Sequence, residues 1–346
     1  MILFHPRRSV AKSIAMIALL PLTMLACAKE NADADDFRDG VPVREAAELK
    51  VPGTSAQTSA LTASGDVAAV KSALLGQQAE YYQLTRAVTA AVNTGTVSIL
   101  ALVKLITTFP PSHLAGDTAV WGPHTEPLSP NTWRLTVTRV APHQFQYQLD
   151  ARAKTKTDAD FMTILSGTHT RAVTASGLPI EHFGAGTFTL DWDKAAMLPE
   201  HDNNVGQATF TYSRPNLTDP VTIDVDFKGV RDDKTGEIHD ALYKYAATPG
   251  MGGDFQYRSV QDFVPDPGNT GTAKETATIH SRWQETGAGR SDWKLSGGDV
   301  GATDVTTNEC WDDNFNSTWK TISYAPLLGW GAESSCVFMM ADYATL

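Results

Sequence analysis

The residues best suited to chemistry are aspartates and histidines, so their spacing comes first. Asp191 and Asp193 flank Trp192, and Asp224 and Asp226 flank Val225. Two residues apart on a strand, the members of a pair share one face at roughly 7 Å. That separation suits hydrolysis by two carboxylates. The partners alternate with core residues, so both pairs are expected to face water. The histidines that follow the first 26 residues stand singly: His113, His124, His143, His169, His182, His201, His239 and His280. None has a second histidine at ligand spacing. His201-Asp202-Asn203-Asn204 could hold a ligand or a base, but it reads better as an Asx-rich turn. Asp232-Asp233 and Asp312-Asp313 could meet calcium, but neither stretch has the D-x-D-x-D-G loop. The chain has no G-x-S-x-G elbow, H-E-x-x-H helix, P-loop or dinucleotide fingerprint. The reading is no catalytic residues, no cofactor site and no metal site.

The elements that would carry these residues are legible in the hydrophobic period. Asp66 is a plausible N-cap, and Val67, Val70, Leu74, Tyr81, Val88 and Val92 follow it on one helical stripe. Asn93-Thr94-Gly95 can end that helix. Val97 to Phe109 reads as a second helix, apolar on most sides, which Pro110-Pro111 stops. From Trp133 the period falls to two. Trp133, Leu135 and Val137 alternate with polar neighbours, and Val221, Ile223, Val225 and Phe227 do so most cleanly. Such alternation marks half-buried antiparallel strands, and turn sequences such as Pro249-Gly250-Met251-Gly252-Gly253 lie between them. The expected fold is α+β. An N-terminal helical hairpin packs in a strongly curved antiparallel meander, a half-barrel or barrel-like sheet of roughly ten strands. The repeated Trp and Tyr belong to its core and cross-strand pairs. A transmembrane barrel is disfavoured, because Arg152, Lys154, Lys156, Asp158 and Asp160 make a poor lipid-facing strand.

The start of the chain has its own organisation. Arg7, Arg8 and Lys12 precede an apolar run from Ser13 to Leu25, too short to span a bilayer. Leu22-Thr23-Met24-Leu25-Ala26-Cys27 resembles the lipobox of bacterial lipoproteins, with Met24 where that family prefers leucine. The resemblance implies a signal peptide over 1–26, cleavage before Cys27, and a lipid on Cys27 that anchors the chain to a membrane. Arg7-Arg8 with Lys12 is also similar to a twin-arginine signal, so both export routes stay open. Ala28 stands where an aspartate would signal inner-membrane retention, which by resemblance points to the outer membrane, facing periplasm or cell surface. With Cys27 lipidated, Cys310 and Cys336 remain, and the oxidising compartment makes them a disulfide pair. Residues 27–65 read as a flexible tether and 66–346 as one domain, with helices and loop over 66–130 and the sheet over 131–346. The net charge is −11, and losing the three basic and no acidic residues of 1–26 takes it to −14. Such a chain repels phosphate backbones, so nucleic acid is excluded as a partner.

A broader resemblance rests on four stretches: Glu80-Tyr81-Tyr82-Gln83-Leu84-Thr85-Arg86, Asp117-Thr118-Ala119-Val120-Trp121-Gly122-Pro123, Trp133-Arg134-Leu135-Thr136-Val137, and Glu309-Cys310-Trp311-Asp312. They look like uncharacterised lipoproteins of predatory or gliding proteobacteria, a family that brings no activity with it. The leading expectation is a structural or interaction protein of the cell envelope, meeting a partner through loops such as 110–131. Exposed Trp121 or Trp311 would favour it. The alternative is a carrier for a lipid or other hydrophobic ligand held in the curved sheet. A hydrolase is third.

Overall fold

A single antiparallel sheet of fifteen strands, each paired only with its neighbours in sequence, dominates the computed structural model. The structure describes residues 34–53, 78–201, 204–231, 236–263 and 273–346. The strands are β1 (His113–Ala115), β2 (Thr118–His124), β3 (Asn131–Ala141), β4 (Gln144–Ala153), β5 (Met162–Val173), β6 (Pro179–Asp191), β7 (Gln207–Arg214) and β8 (Val221–Arg231). They continue as β9 (Ile238–Thr248), β10 (Gly252–Gln261), β11 (Glu275–Gln284), β12 (Gly289–Gly297), β13 (Val305–Trp311), β14 (Ser317–Ile322) and β15 (Trp330–Gly331). The sheet is open rather than barrel-like, and its edges are the two shortest strands, β1 and β15. Short edges offer little template for pairing with another chain.

The antiparallel sheet is as expected, but the count of ten strands is too low. The alternation was hidden where inner-face positions are not apolar. In β5 these include Gly167 and His169, and in β13 they are Thr307 and Glu309. Gly167 has a steric reason. A Cβ there would lie 2.2 Å from the Thr187 carbonyl and 2.6 Å from the Tyr147 hydroxyl. The small residue thus makes room for the neighbouring ring. β1 and β2 occupy part of the segment expected as loop over 110–131.

The helical hairpin is a second correction. One continuous helix runs from Glu80 to Thr108, and Asn93-Thr94-Gly95 does not end it. Gly95 takes no left-handed conformation. Asn93 is used sideways: its amide donates to the Leu49 carbonyl at 2.8 Å, and the Leu49 N–H donates back at 2.9 Å. The expected N-cap Asp66 and the stripe from Val67 to Leu74 lie outside the described residues.

The third correction concerns the tether. Residues 34–53 form a strap that packs on the sheet and contributes Phe37, Val41, Leu49 and Val51 to the core. Phe37 meets Phe145 edge-on at 6.1 Å. Arg38 donates to the Thr107 carbonyl near the helix C-terminus, and the Pro52 carbonyl accepts from Tyr82 near its N-terminus. The strap and the helix therefore run antiparallel to each other over the inner face. Alternation failed to reveal the strap because its apolar residues follow no single period.

Candidate functional site

Buried charge concentrates at β11–β14, on both faces of the sheet. On the inner face the helix starts without a side-chain cap of its own, because Ala79 holds the N-cap position. Glu309 of β13 substitutes. Its carboxylate accepts from the Tyr81 N–H at 2.8 Å, satisfying an amide that the first helical turn leaves free. A carboxylate there also meets the positive end of the helix dipole. Burial pushes Glu309 up to about 7, against the pull of the Tyr81 amide and the Ser317 hydroxyl. Its second oxygen has no partner among the described residues.

Beside it Lys320 of β14 bonds the Glu80 carboxylate, and its ammonium lies 5.1 Å from the Tyr81 ring and 5.3 Å from the Trp330 ring. Burial lowers this lysine to about 8 despite the ion pair. The Tyr81 phenol rises to about 12, mainly through burial, with Thr307 pulling it back and the Glu309 charge adding to it. Tyr82 stacks on Phe315 at 4.8 Å and tilts against Trp311 at 4.9 Å. A hydroxyl chain completes the junction: Thr85 to Ser281 at 2.6 Å and Ser281 to Ser291 at 2.5 Å. Perturbed acids and bases mark functional sites as well as structural ion pairs. Here the groups are engaged in seating the helix.

On the outer face, Asp292 of β12 is the hub. It is fully buried and accepts from Arg290 at 2.7 Å, Arg282 at 2.8 Å, Asn308 at 2.6 Å and the Asp342 N–H at 3.0 Å. Two guanidinium partners and two further donors satisfy the buried carboxylate, the condition under which such a group is tolerated. His280 bonds Asp254 through Nε2 and the Asp342 carbonyl through Nδ1, the latter at 2.8 Å. Both ring nitrogens thus face oxygen atoms. The cover over this face is the segment after β15. Cys336, at its start, is disulfide-bonded to Cys310 of β13 with the Cα atoms 5.5 Å apart.

The residues singled out from sequence fall elsewhere. Asp191 accepts from the Lys194 N–H at 3.0 Å and caps a short helix, and Asp193 accepts from the Gly206 N–H at 2.8 Å. They do not share a strand face, because β6 ends at Asp191. Asp224 is exposed, and Asp226 pairs with Lys228. Asp312 folds its own turn by accepting from the Asn314 and Asn316 N–H groups. Asp232-Asp233 and Cys27 lie outside the described residues. His169 is buried, bonds the Tyr212 hydroxyl at 2.7 Å and is lowered to about 4, by burial first and then by Arg171. Trp121 and Trp311, whose exposure on a loop would favour an interaction protein, are both buried, their indole N–H groups bonded to the Phe109 and Gly287 carbonyls.

Sequence reasoning missed His280, Arg282, Arg290, Asp292 and Asn308 as a group. One signal was available. Cys310 alternates with Glu309 and Trp311, which face inward, so a disulfide from Cys310 must carry the Cys336 segment to the outer face. Comparison with known protein families, curated proteins and solved structures finds no match for this chain.

Proposed function

We propose that this chain is an exported, lipid-anchored protein of the cell envelope that works by binding other proteins, not by catalysis and not by carrying a hydrophobic ligand. The supporting observation is the filled inner face. The helix and the strap occupy the ground where a half-barrel carrier would need its hollow. Among the described residues, the space beside Val41, His169 and Phe183 measures about 20 Å³, room for one water. A shallow cleft of about 260 Å³ beside Pro52 and Trp283 is open to solvent. Ligand pockets are usually about 300–1,000 Å³ and enclose most of the ligand. The Cys310–Cys336 bond suits an oxidising compartment. Lipidation of Cys27 and the outer-membrane location belong to the same proposal and rest on the sequence of the leader.

The test is to express residues 28–346 in a bacterial periplasm, purify without detergent, and combine native mass spectrometry with organic extraction. The expected result is a polypeptide two hydrogens below its reduced mass with nothing bound. A stoichiometric lipid would overturn the reading in favour of a carrier. Expression of the full chain with labelled palmitate tests the anchor, since Cys27→Ser should abolish labelling.

A further inference from the structure

One ion pair of the inner face sits where ion pairs are costly. Lys320 of β14 and Glu80 of the first helical turn bond each other with side chains only 5 % and 11 % exposed. Among the described residues Glu80 is the one polar partner of the Lys320 ammonium. The other close neighbours of that nitrogen are the rings of Tyr81 and Trp330. An ammonium has three donors, and a buried pair repays its desolvation only when further hydrogen bonds complete it. Here aromatic carbon stands where those acceptors would be, and burial lowers Lys320 to about 8, toward the free amine.

A second carboxyl is built into the same place. Glu309 of β13 stands directly opposite Lys320 in the strand register, so both side chains leave one face of the sheet. Its bond to the Tyr81 N–H holds it beside the residue that follows Glu80. Its other oxygen has no partner among the described residues, and burial keeps its proton on to about pH 7. An amine and a carboxyl are thus held in contact, in a surround poor in water, with a protonated acid alongside. Such fixed proximity replaces the encounter that amide formation in water must wait for.

We propose that the Lys320 amine and the Glu80 carboxyl condense into an amide, a covalent bond between the helix and β14, with Glu309 carrying the proton. The step balances within the pair. The Nζ lone pair attacks Cδ of Glu80, the Nζ–Cδ bond forms, and one Cδ–O bond breaks. Of the three ammonium protons one stays on the amide nitrogen, and two leave with the departing oxygen as water. Glu309 gives its proton to that oxygen and takes one back from Nζ, so it ends as it began. Two buried charges become one neutral amide, which removes the cost of keeping them out of water. The bond joins positions 240 residues apart. With Cys310–Cys336 it gives the end of the sheet two cross-links, one on each face.

The experiment is intact mass spectrometry under denaturing conditions on residues 28–346 purified from the periplasm, using the monomeric fraction that melts cooperatively. The expected mass is one water below that of the disulfide-bonded polypeptide. Reduction should restore the two hydrogens and leave the water missing. Digestion should yield a branched peptide joining Glu80 to Lys320. Lys320→Arg keeps a cation opposite Glu80, and Glu80→Ala removes the carboxyl; each should show the full mass of its own sequence. In a pulse-chase, Glu309→Gln should slow the water loss about a hundredfold, as expected for loss of one proton-transfer group. Folded protein at full mass overturns the proposal and leaves an ion pair. A water lost at any other residue, or lost equally from Lys320→Arg, also overturns it. An unchanged rate in Glu309→Gln overturns the role given to Glu309. The covalent change survives denaturation, so it cannot be mistaken for a bound lipid or partner, and it fails independently of the protein-binding reading.

Discussion

Two stretches of the sheet have the same polar alternation on the outer face and opposite fates. Midway along β4–β7 one outward row is uncharged and wet: Gln146, Thr168, Thr187 and Thr211 lie side by side in register, all exposed. Across β11–β13 the corresponding positions carry His280, Arg282, Arg290, Asp292 and Asn308, and most of them are buried. Between these two rows, charge appears where the face is covered, and hydroxyls and amides where it is open. A polar residue opposite a core residue therefore does not report solvent. It reports only that the core is on the other side. Where a second layer arrives, the polar face becomes a site whose energetics depend on complete pairing.

The comparison is breakable by substitution. The largest effect is expected from Asp292→Ala, which strands Arg282 and Arg290 without their buried partner. Loss of one member of such a network costs about 3–5 kcal/mol. A loss below about 1 kcal/mol in denaturant unfolding would mean that water replaces the aspartate and that the face is not truly buried. Next comes the covalent hold on the cover. Cys310→Ser with Cys336→Ser should lower stability by about 3 kcal/mol in the chain-entropy account, and a reductant should reproduce the loss in the unaltered protein.

The inner face gives a pH signature. Glu309 is raised from its ordinary 4.5 to about 7, so the fold favours its protonated form. Its contribution is fully present below pH 4.5, and stability is lost as the pH rises toward 7. Glu309→Gln should flatten that decline, which is on the order of 3 kcal/mol at most. Melting temperatures across pH 4–8 check this, and a variant that keeps the slope would assign it to other groups. The smallest effect sharpens the contrast from the wet side. Thr211→Ala should change stability by no more than about 0.5 kcal/mol, as exposed positions do. A larger loss would reveal a cover over β4–β7 as well.

Legibility followed the same divide. Strands such as β8, with Ile223 and Val225 buried against exposed Thr222 and Asp224, could be read directly. β13 could not, because Thr307 and Glu309 are inner-face residues that bond the helix instead of filling space. The helix boundary misled for a related reason. Its cap is Glu309, 228 positions from the amide it serves, and no local pattern announces such a partner. Phe37 and Leu49 of the strap sit among polar neighbours because the sheet, not a second helix, receives them. Of the outer-face cluster only Cys310 and Cys336 were anticipated. Its charged residues have ordinary spacing and become a group only through register.

The linear strand order also bears on how the molecule is made. Each strand finds its partner in the hairpin before or after it, so the sheet can extend one hairpin at a time as the chain emerges, with little loop entropy to overcome. The helix is synthesised early, but its N-terminal supports arrive last. Glu80 and Tyr81 wait for Glu309 and Lys320, more than 220 residues downstream. Assembly from the N-terminus thus leaves the first turn of the helix without its cap and ion pair until β13 and β14 exist, although the strap already holds its later turns. A chain truncated before residue 305 should present a formed sheet and an unpaired first helical turn, a state in which premature contacts have the longest time to form.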